Sequence, residues 1–257
     1  MKISWIHVDL INETKSEKFF KNRKNEIEVY NKFDKIVGVS EYVKKQFIEK
    51  YKINQEKVYV RYNPIDEKYI EQFSNEEVND IQKEKFTLCT VGRLAPQKGY
   101  DRLLSVVDKL NKDNFEFEVW IIGVGPDEDK LKTYMNEKNI NNVKLLGYKT
   151  NPYSYIKKSD LFVCSSRAEG FSTVVSEAVI LEKPVVTTDC SGMREILGQN
   201  GEYGLICDNN EDALYEALKD ILSNKEKYEY YKNKISERKY IFNIKESVKN
   251  IEKLLEG

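Results

Sequence analysis

In the stretch SSRAEGFSTVVSEAVILEKPVV, residues 165–186, Glu169 stands in a Ser/Gly turn. Glu177 follows eight positions later, inside an apolar run of helical pattern. The preceding LFVCSS reads as a buried strand, so the RAEG turn leaves that strand's carboxyl end. Gly170 lets the main chain come close to a ligand there. The free N–H groups near Phe171, Ser172 and Thr173 then point at any anion placed before the helix. Glu177 sits where it can accept paired hydrogen bonds from a ribose's vicinal hydroxyls, as acids do in other nucleotide sites. Glu169, on the turn, faces whatever lies beyond the phosphates. The spacing alone fits a second arrangement equally well: a capping acid followed by a solvent-facing helix acid.

A second group of residues lies upstream. VGRLAPQKGYD places Arg93 at a strand end and Lys98 just before a helix whose start carries Gly99. Two cations facing a helix N-terminus form a diphosphate clamp, Arg as a fork and Lys as a point charge; they are equally compatible with ordinary surface cations. The next strand ends IIGVGPDEDK, where Gly123 and Gly125 permit a tight turn at the same edge. The D-x-D at Asp127–Asp129 matches a metal-site pattern of sugar transferases, but Pro126 opens a helix and acids in a first turn complement the helix dipole. No metal is assigned to them.

Nine short β-branched runs, from ISWIHV through GLICD, alternate with amphipathic stretches along the chain. Between Gly99 and Asn111, for example, Leu103, Leu104, Val107 and Leu110 share one helical face. This alternation predicts an α/β fold with parallel sheets and helices on both faces, the doubly wound Rossmann-like architecture. Residues 64–85 are mostly polar, without a strand, and read as a linker. Six strands follow it, a complete sheet over residues 86–240; three precede it, too few to bury both faces of a sheet, so residues 1–63 read as part of a domain.

The composition bounds the class. With 257 residues, 40% of them apolar, 33% charged and only 5 proline, the chain is globular rather than disordered. It has no apolar run of membrane-spanning length, and MKISWIHVDL lacks the pattern of a signal peptide. Cys89, Cys164, Cys190 and Cys207 form no C-x-x-C pair and read as small apolar residues of a reducing, cytoplasmic protein. The net charge of −1 hides an asymmetry: residues 1–63 hold 14 Lys and Arg against 9 Asp and Glu, the rest 28 against 34. A basic segment suits a phosphate or an anionic membrane surface, but charge runs more often just solvate a face.

EGFSTVVSE reproduces the E-x7-E motif of the family 4 (group 1) retaining glycosyltransferases of GT-B fold, and it occurs with VGRLAPQKG before it and PVVTTDCSGMREIL after it. The segment DKIVGVSEYVKKQFIEKYKINQEKVYVRYNPID resembles the end of that family's first domain, and KISWIHVDL resembles its strand ending in a histidine. The resemblance covers almost the whole chain in family order. It implies that Arg93 and Lys98 neutralise the diphosphate of a nucleotide sugar, that Glu177 holds the ribose, and that Glu169 with the Gly170-Phe171-Ser172 backbone meets the donor sugar and distal phosphate. Gly125 would border the nucleotide, and the base would lie by Tyr148 and Lys149. His7, the one histidine, would line the acceptor side near the reacting carbon, its alternative being a strand-end histidine satisfied by hydrogen bonds. The implied reaction moves a sugar to an acceptor hydroxyl, saccharide or lipid-linked, with retention of configuration. It needs no metal or other cofactor, because cations and helix N–H groups take the leaving charge. Glu169 and Glu177 then hold substrate and are not a hydrolase acid/base pair.

By the same resemblance, residues 241–257 form the helix that returns to the first domain, whose opening strand and glycine-rich loop do not precede Met1. The expectations that follow are a fragment, a split pair completed by another chain, or a short divergent protein that binds nucleotide weakly alone. They also include an exposed sheet edge inviting a partner or aggregation. Peripheral contact with the inner membrane face is compatible with the basic first segment; nucleic acid is not a partner. Two other functions share the pattern, a silent nucleotide-sugar-binding module and a sugar-nucleotide epimerase, the latter disfavoured by the single histidine.

Overall fold

The computed structural model of the chain describes residues 1–10, 20 and 22–256. Strand β1 (Ile3–Ile6), helix α1 (Arg23–Asn31), strand β2 (Lys35–Gly38), helix α2 (Glu41–Tyr51) and strand β3 (Val58–Val60) come first, followed by helix α3 (Glu67–Phe73). The chain continues through β4 (Thr87–Val91), α4 (Tyr100–Lys112), β5 (Glu118–Ile122), α5 (Glu128–Glu137), β6 (Val143–Leu145) and α6 (Tyr153–Lys158). Next come β7 (Leu161–Cys164), α7 (Thr173–Ile180), β8 (Val185–Thr188), α8 (Met193–Leu197), β9 (Leu205–Cys207) and α9 (Glu211–Ser223), then α10 (Lys225–Lys234) and α11 (Ile244–Glu256). Each strand-like run of the sequence is one of these strands, and all their pairings are parallel.

Strands β4 to β9 build one sheet in the order β6-β5-β4-β7-β8-β9, and β1-β2-β3 a second. Alternate residues of the larger sheet face opposite ways, as the strand period requires. Leu88, Val119, Ile121, Leu161 and Val163 pack with α4 and α9, through Leu103, Leu104, Leu110, Leu214 and Leu218. Cys89, Trp120, Ile122, Phe162 and Cys164 pack the other way, with Ile156 of α6 and Val175 and Val179 of α7. Both faces are therefore covered, which is why these strands are almost continuously apolar.

The smaller sheet does not close a core of its own. Ile36, Val39, Val43 and Phe47 belong to the same apolar cluster as Phe162, Phe171 and Val175 of the larger unit. Helix α1 joins it through Tyr30, whose ring lies 4.8 Å from those of Phe47 and Tyr51. Helix α11 returns to this sheet: Lys35 Nζ donates to Leu254 O at 2.5 Å and Arg61 Nε to Asn250 O at 2.7 Å. Among the described residues, β1 is an edge strand with no partner on its outer side. The stretch 64–85, read above as a linker, carries α3, which Asp66 caps and whose buried Ile70 anchors it beside α6 and α7. Its helix is held by packing against those neighbours, which a mostly polar sequence does not announce.

All four cysteines are free, three of them buried, and burial pushes their thiols upward in pKa. Asp127 precedes α5, while Glu128 and Asp129 fill its first turn, with Glu128 paired to Lys132 at 2.6 Å. No described helix is long and apolar enough to cross a membrane.

Candidate active site

The order of the larger sheet reverses between β4 and β7: the chain winds outward from β4 to β6, then crosses back and winds outward from β7 to β9. At such a switch point the loops leaving adjacent strands part company and open a crevice at the carboxyl edge. The loop after β4 carries Arg93 and Lys98, and the loop after β7 carries Glu169, Gly170, Phe171 and Ser172. Gly125 follows β5 and Tyr148 follows β6, so the residues singled out in this half of the chain lie along one edge. Arg93 is exposed and has no hydrogen bond or ion pair among the described residues.

Lys98 is not free. Its Nζ lies 2.7 Å from Glu169 Oε1, which also accepts a 2.5 Å hydrogen bond from Ser166 Oγ. Burial works to lower the Lys98 pKa, but the Glu169 carboxylate overcomes it and holds the ammonium above the usual lysine range. The enclosed space beside Lys98 and Val174 is only about 10 Å³. That space is about the size of one water and too small for a phosphate.

The start of α7 is left incomplete. Ser172 is its N-cap residue yet makes no capping bond. Its Oγ is buried and has no hydrogen-bond partner. An orphaned buried hydroxyl costs stability unless something satisfies it, and here it stands among unpaired first-turn N–H groups that favour an anion. Glu177 lies one turn into the helix. Burial pushes its carboxyl up to about 7, with the Lys98 charge pulling the other way. Its carboxylate has no hydrogen bond or ion pair among the described residues.

The turn bearing Glu169 is pinned from behind by a residue the sequence did not single out. Arg102, in the first turn of α4 and 6% exposed, donates from Nε to Ser165 O at 2.7 Å, and from Nη2 to Ser166 O at 2.5 Å and Asn209 Oδ1 at 2.8 Å. Gln97 Nε2 donates to Ala168 O at 2.8 Å, and Arg167 forms a two-point pair with Asp101 at 2.7 Å. An arginine beside an apolar helical face carries no sequence signal for this role. Arg102→Met is expected to destabilise the fold by about 1–3 kcal/mol, because it strands the buried Ser165 carbonyl, while the Ser166 carbonyl keeps Thr188 Oγ1 at 2.6 Å. Arg102→Lys should recover less than half of that, since an ammonium lacks the planar fork. Urea denaturation of both variants measures it.

Glycines fit the loops together. Gly99 has φ 66° and would, with a Cβ, run into Ser165 O. A Cβ on Gly123 would meet the Gly92 carbonyl, and one on Gly125 the Leu94 backbone. Gly125 thus serves loop packing against Leu94. Gly170 also spaces two backbones. Its Cα abuts main chain rather than open space: an added Cβ would overlap His7 O and sit 2.7 Å from His7 C. That contact carries the smaller sheet to the site. Ser40 Oγ, after β2, donates to Gly170 O at 3.1 Å, and Tyr62, after β3, places its ring 5.0 Å from that of Phe171. His7 follows β1, stacks on Trp5 at 5.9 Å and exposes its imidazole, so the structure gives it neighbours but no hydrogen-bonded anchor among the described residues. Tyr148 is 71% exposed, and Lys149 is engaged by Asp80.

A larger opening lies between the two sheets. It holds about 890 Å³ and is lined by Asp9, Tyr42, Tyr62, Ser191, Glu195 and Arg238, among others, and by none of Arg93, Lys98, Glu169 or Glu177. Glu195 fastens its walls, accepting from the backbone N–H of Glu41 at 2.9 Å and of Tyr42 at 3.1 Å, and from Tyr62 Oη at 3.0 Å.

Two parallel α/β sheets whose carboxyl edges meet, with a cationic rim at the switch point of the complete one, make the GT-B architecture of glycosyltransferases. The chain belongs to the family described as "Glycosyl transferases group 1", whose model matches residues 71–238. Over 218 residues it is 34% identical to the N-acetylgalactosamine-N,N'-diacetylbacillosaminyl-diphospho-undecaprenol 4-alpha-N-acetylgalactosaminyltransferase of Campylobacter jejuni, covering 83% of this chain and 58% of the relative. An uncharacterized glycosyltransferase of Methanocaldococcus jannaschii is 31% identical over 223 residues, 73% of this chain and 55% of its own length. This chain therefore spans little more than half the length of these curated relatives. Among solved structures, TarM of Staphylococcus aureus in complex with UDP superposes with a TM-score of 0.78 at 22% identity, over 99% of this chain and 50% of that one. HepE of Anabaena, in complex with UDP and glucose, gives 0.77 at 20% identity, over 99% and 71%.

Proposed function

We propose that this chain holds a uridine diphosphate sugar at the β4–β7 switch point and serves its transfer to an acceptor hydroxyl with retention of configuration. The observation that carries the reading is the unsatisfied start of α7: a buried, partnerless Ser172 hydroxyl, with an unpaired Arg93 on the neighbouring loop and an unpaired Glu177 carboxylate one turn along the helix. A diphosphate completes the helix end and neutralises Arg93, while the ribose hydroxyls supply the donors that Glu177 lacks. UDP is the diphosphate offered because TarM and HepE carry it in the same fold. In the transfer step the bond from the anomeric carbon to the phosphate oxygen breaks. The acceptor oxygen bonds that carbon on the same face, and its proton passes to the departing phosphate. Arg93, Lys98 and the α7 N–H groups stabilise the leaving charge, Glu169 and the Gly170–Ser172 turn hold the sugar, and His7 lines the acceptor side. The charge on the leaving group is met by these protein groups, so the reading calls on no metal.

The acceptor proposed is a saccharide, free or lipid-linked, in keeping with the diphospho-undecaprenol-linked sugar for which the Campylobacter relative is named. The chain then works from the cytoplasm, touching the inner membrane face through its basic first segment. A second reading, a binding subunit without turnover of its own, is favoured by the unpaired outer edge of β1, where a separate chain would add strands. Titration with UDP and with UDP-sugars tests the donor site: Arg93→Ala is expected to weaken UDP binding about tenfold, the value of one charge-assisted contact. Binding unchanged in that variant removes the assignment. Release of UDP in the presence of acceptor extracts separates the transferase from the silent subunit.

A further inference from the structure

At the amino edge of the larger sheet, opposite the donor rim, four lysines converge. Lys183 stands just before β8, Lys83 before β4, Lys157 in α6 and Lys232 in α10. The side chain of Lys183 is half-buried there, and its Nζ donates to Ser159 O at 2.8 Å. The other three lysines and Asp160 are near enough for their charges to act on it, and it acts in turn on the buried Cys89 of β4. The carboxylates in reach are already engaged: Lys83 holds Asp160 at 2.5 Å, and Glu229 lies 3.7 Å from Lys232. Lys157 is met by the neutral Asn75 Oδ1 at 2.7 Å. The ammonium of Lys183 is thus left with a carbonyl partner among like charges.

A lysine in a partly desolvated place, with further cations around it, is the setting that turns an ammonium into a nucleophilic amine. Burial, helped by Lys83, Lys232 and Lys157 and opposed by Asp160, brings its pKa from 10.5 down to about 8. The cations that disfavour its proton also attract an anion. We propose that Lys183 is a site of covalent acylation whose reagent is a small acyl phosphate, drawn to the amine by Lys83, Lys157 and Lys232. The Nζ lone pair attacks the acyl carbon and forms a C–N bond. The bond from that carbon to the phosphate oxygen breaks, its electron pair leaves with inorganic phosphate, and the surplus proton of the amine goes to water. The product is a neutral amide, so the cluster loses one of its like charges.

Incubation of the whole chain with acetyl phosphate at about pH 8, with acetyl groups mapped by peptide mass spectrometry, tests it. Lys183 is expected to be modified about tenfold faster than Lys130, whose side chain is 82% exposed. Its rate should level off above about pH 8, where the amine is already neutral, whereas the rates of fully solvated lysines keep climbing to about pH 10. Lys83→Gln frees Asp160 to face Lys183 and removes one repelling charge, so it should slow the reaction about threefold at about pH 8. Lys83 is exposed, and circular dichroism checks the fold of that variant. A neutral succinimidyl ester, which the cations do not attract, should prefer Lys183 less than acetyl phosphate does. Acetylation of Lys183 no faster than that of Lys130, or a rate that never levels off, overturns the inference. So does a Lys83→Gln rate equal to the parent's, or the same preference with both reagents.

Discussion

Glu177→Gln is expected to make the protein more stable at about pH 8 while weakening UDP binding about tenfold. The two effects share one cause. Burial raises the Glu177 carboxyl to about 7, from an ordinary value of 4.5. Folding therefore favours the protonated acid. Below the unfolded value the group costs the fold nothing, and as pH climbs from there through about 7 the penalty grows to roughly 3 kcal/mol. An uncharged glutamine escapes that penalty, so its denaturation midpoint should exceed the parent's at about pH 8 and match it near pH 4.5. The parent's affinity for UDP should rise up to about tenfold between pH 6 and pH 8, as the carboxylate that accepts the ribose hydroxyls forms, and the variant's should stay flat. A residue kept only for packing would not combine a gain in stability with a loss of ligand. Equal UDP binding by parent and variant, with or without the stability gain, would remove Glu177 from the site.

Gly170→Ala should damage the contact between the two sheets more than any neighbouring surface change. The new Cβ overlaps His7 O and falls 2.7 Å from His7 C, and both obstacles are backbone, which cannot rotate away. Overpacking of this kind costs about 1–3 kcal/mol, and more where main chain must move. Relief comes from parting the loop after β7 from the loop after β1, so Ser40 also loses its bond to Gly170 O. UDP affinity should fall with stability, because Phe171 and Ser172 ride on the same turn. Gly147→Ala is the control: its φ is 66°, but open space lies around it, and the cost is limited to the left-handed backbone, about 1 kcal/mol. Hydrogen exchange of residues 3–9 in the two variants reads the difference. Equal protection in both would mean that Gly170 does not join the sheets.

The nine strands were legible because a parallel sheet covered on both faces writes itself as short β-branched runs, and TLCTV, EVWII and LFVC are such runs. The face of α4 was legible for the same kind of reason, a helical period in Leu103, Leu104, Val107 and Leu110. Helix α3 was not, since one buried isoleucine in a charged stretch gives no period to read. At the site, the residue types at the ends of β4 and β7 pointed to anion binding, and the topology brought them to one edge. What they do for one another stayed hidden: that Lys98 is held by Glu169, that Gly170 spaces two backbones, and that Arg102 and Glu195 brace loops far from them in sequence. Such pairings join residues tens of positions apart, and local pattern carries no information about them.

The glycines at 99, 123 and 125 press the loops after β4, β5 and β7 directly backbone to backbone. A rim assembled this way behaves as one casting, in which no loop lengthens or bends without dislodging its neighbours. On the donor reading proposed above, any change in what is bound is thereby left to outward side chains such as Tyr148, which can vary while the mould stays intact.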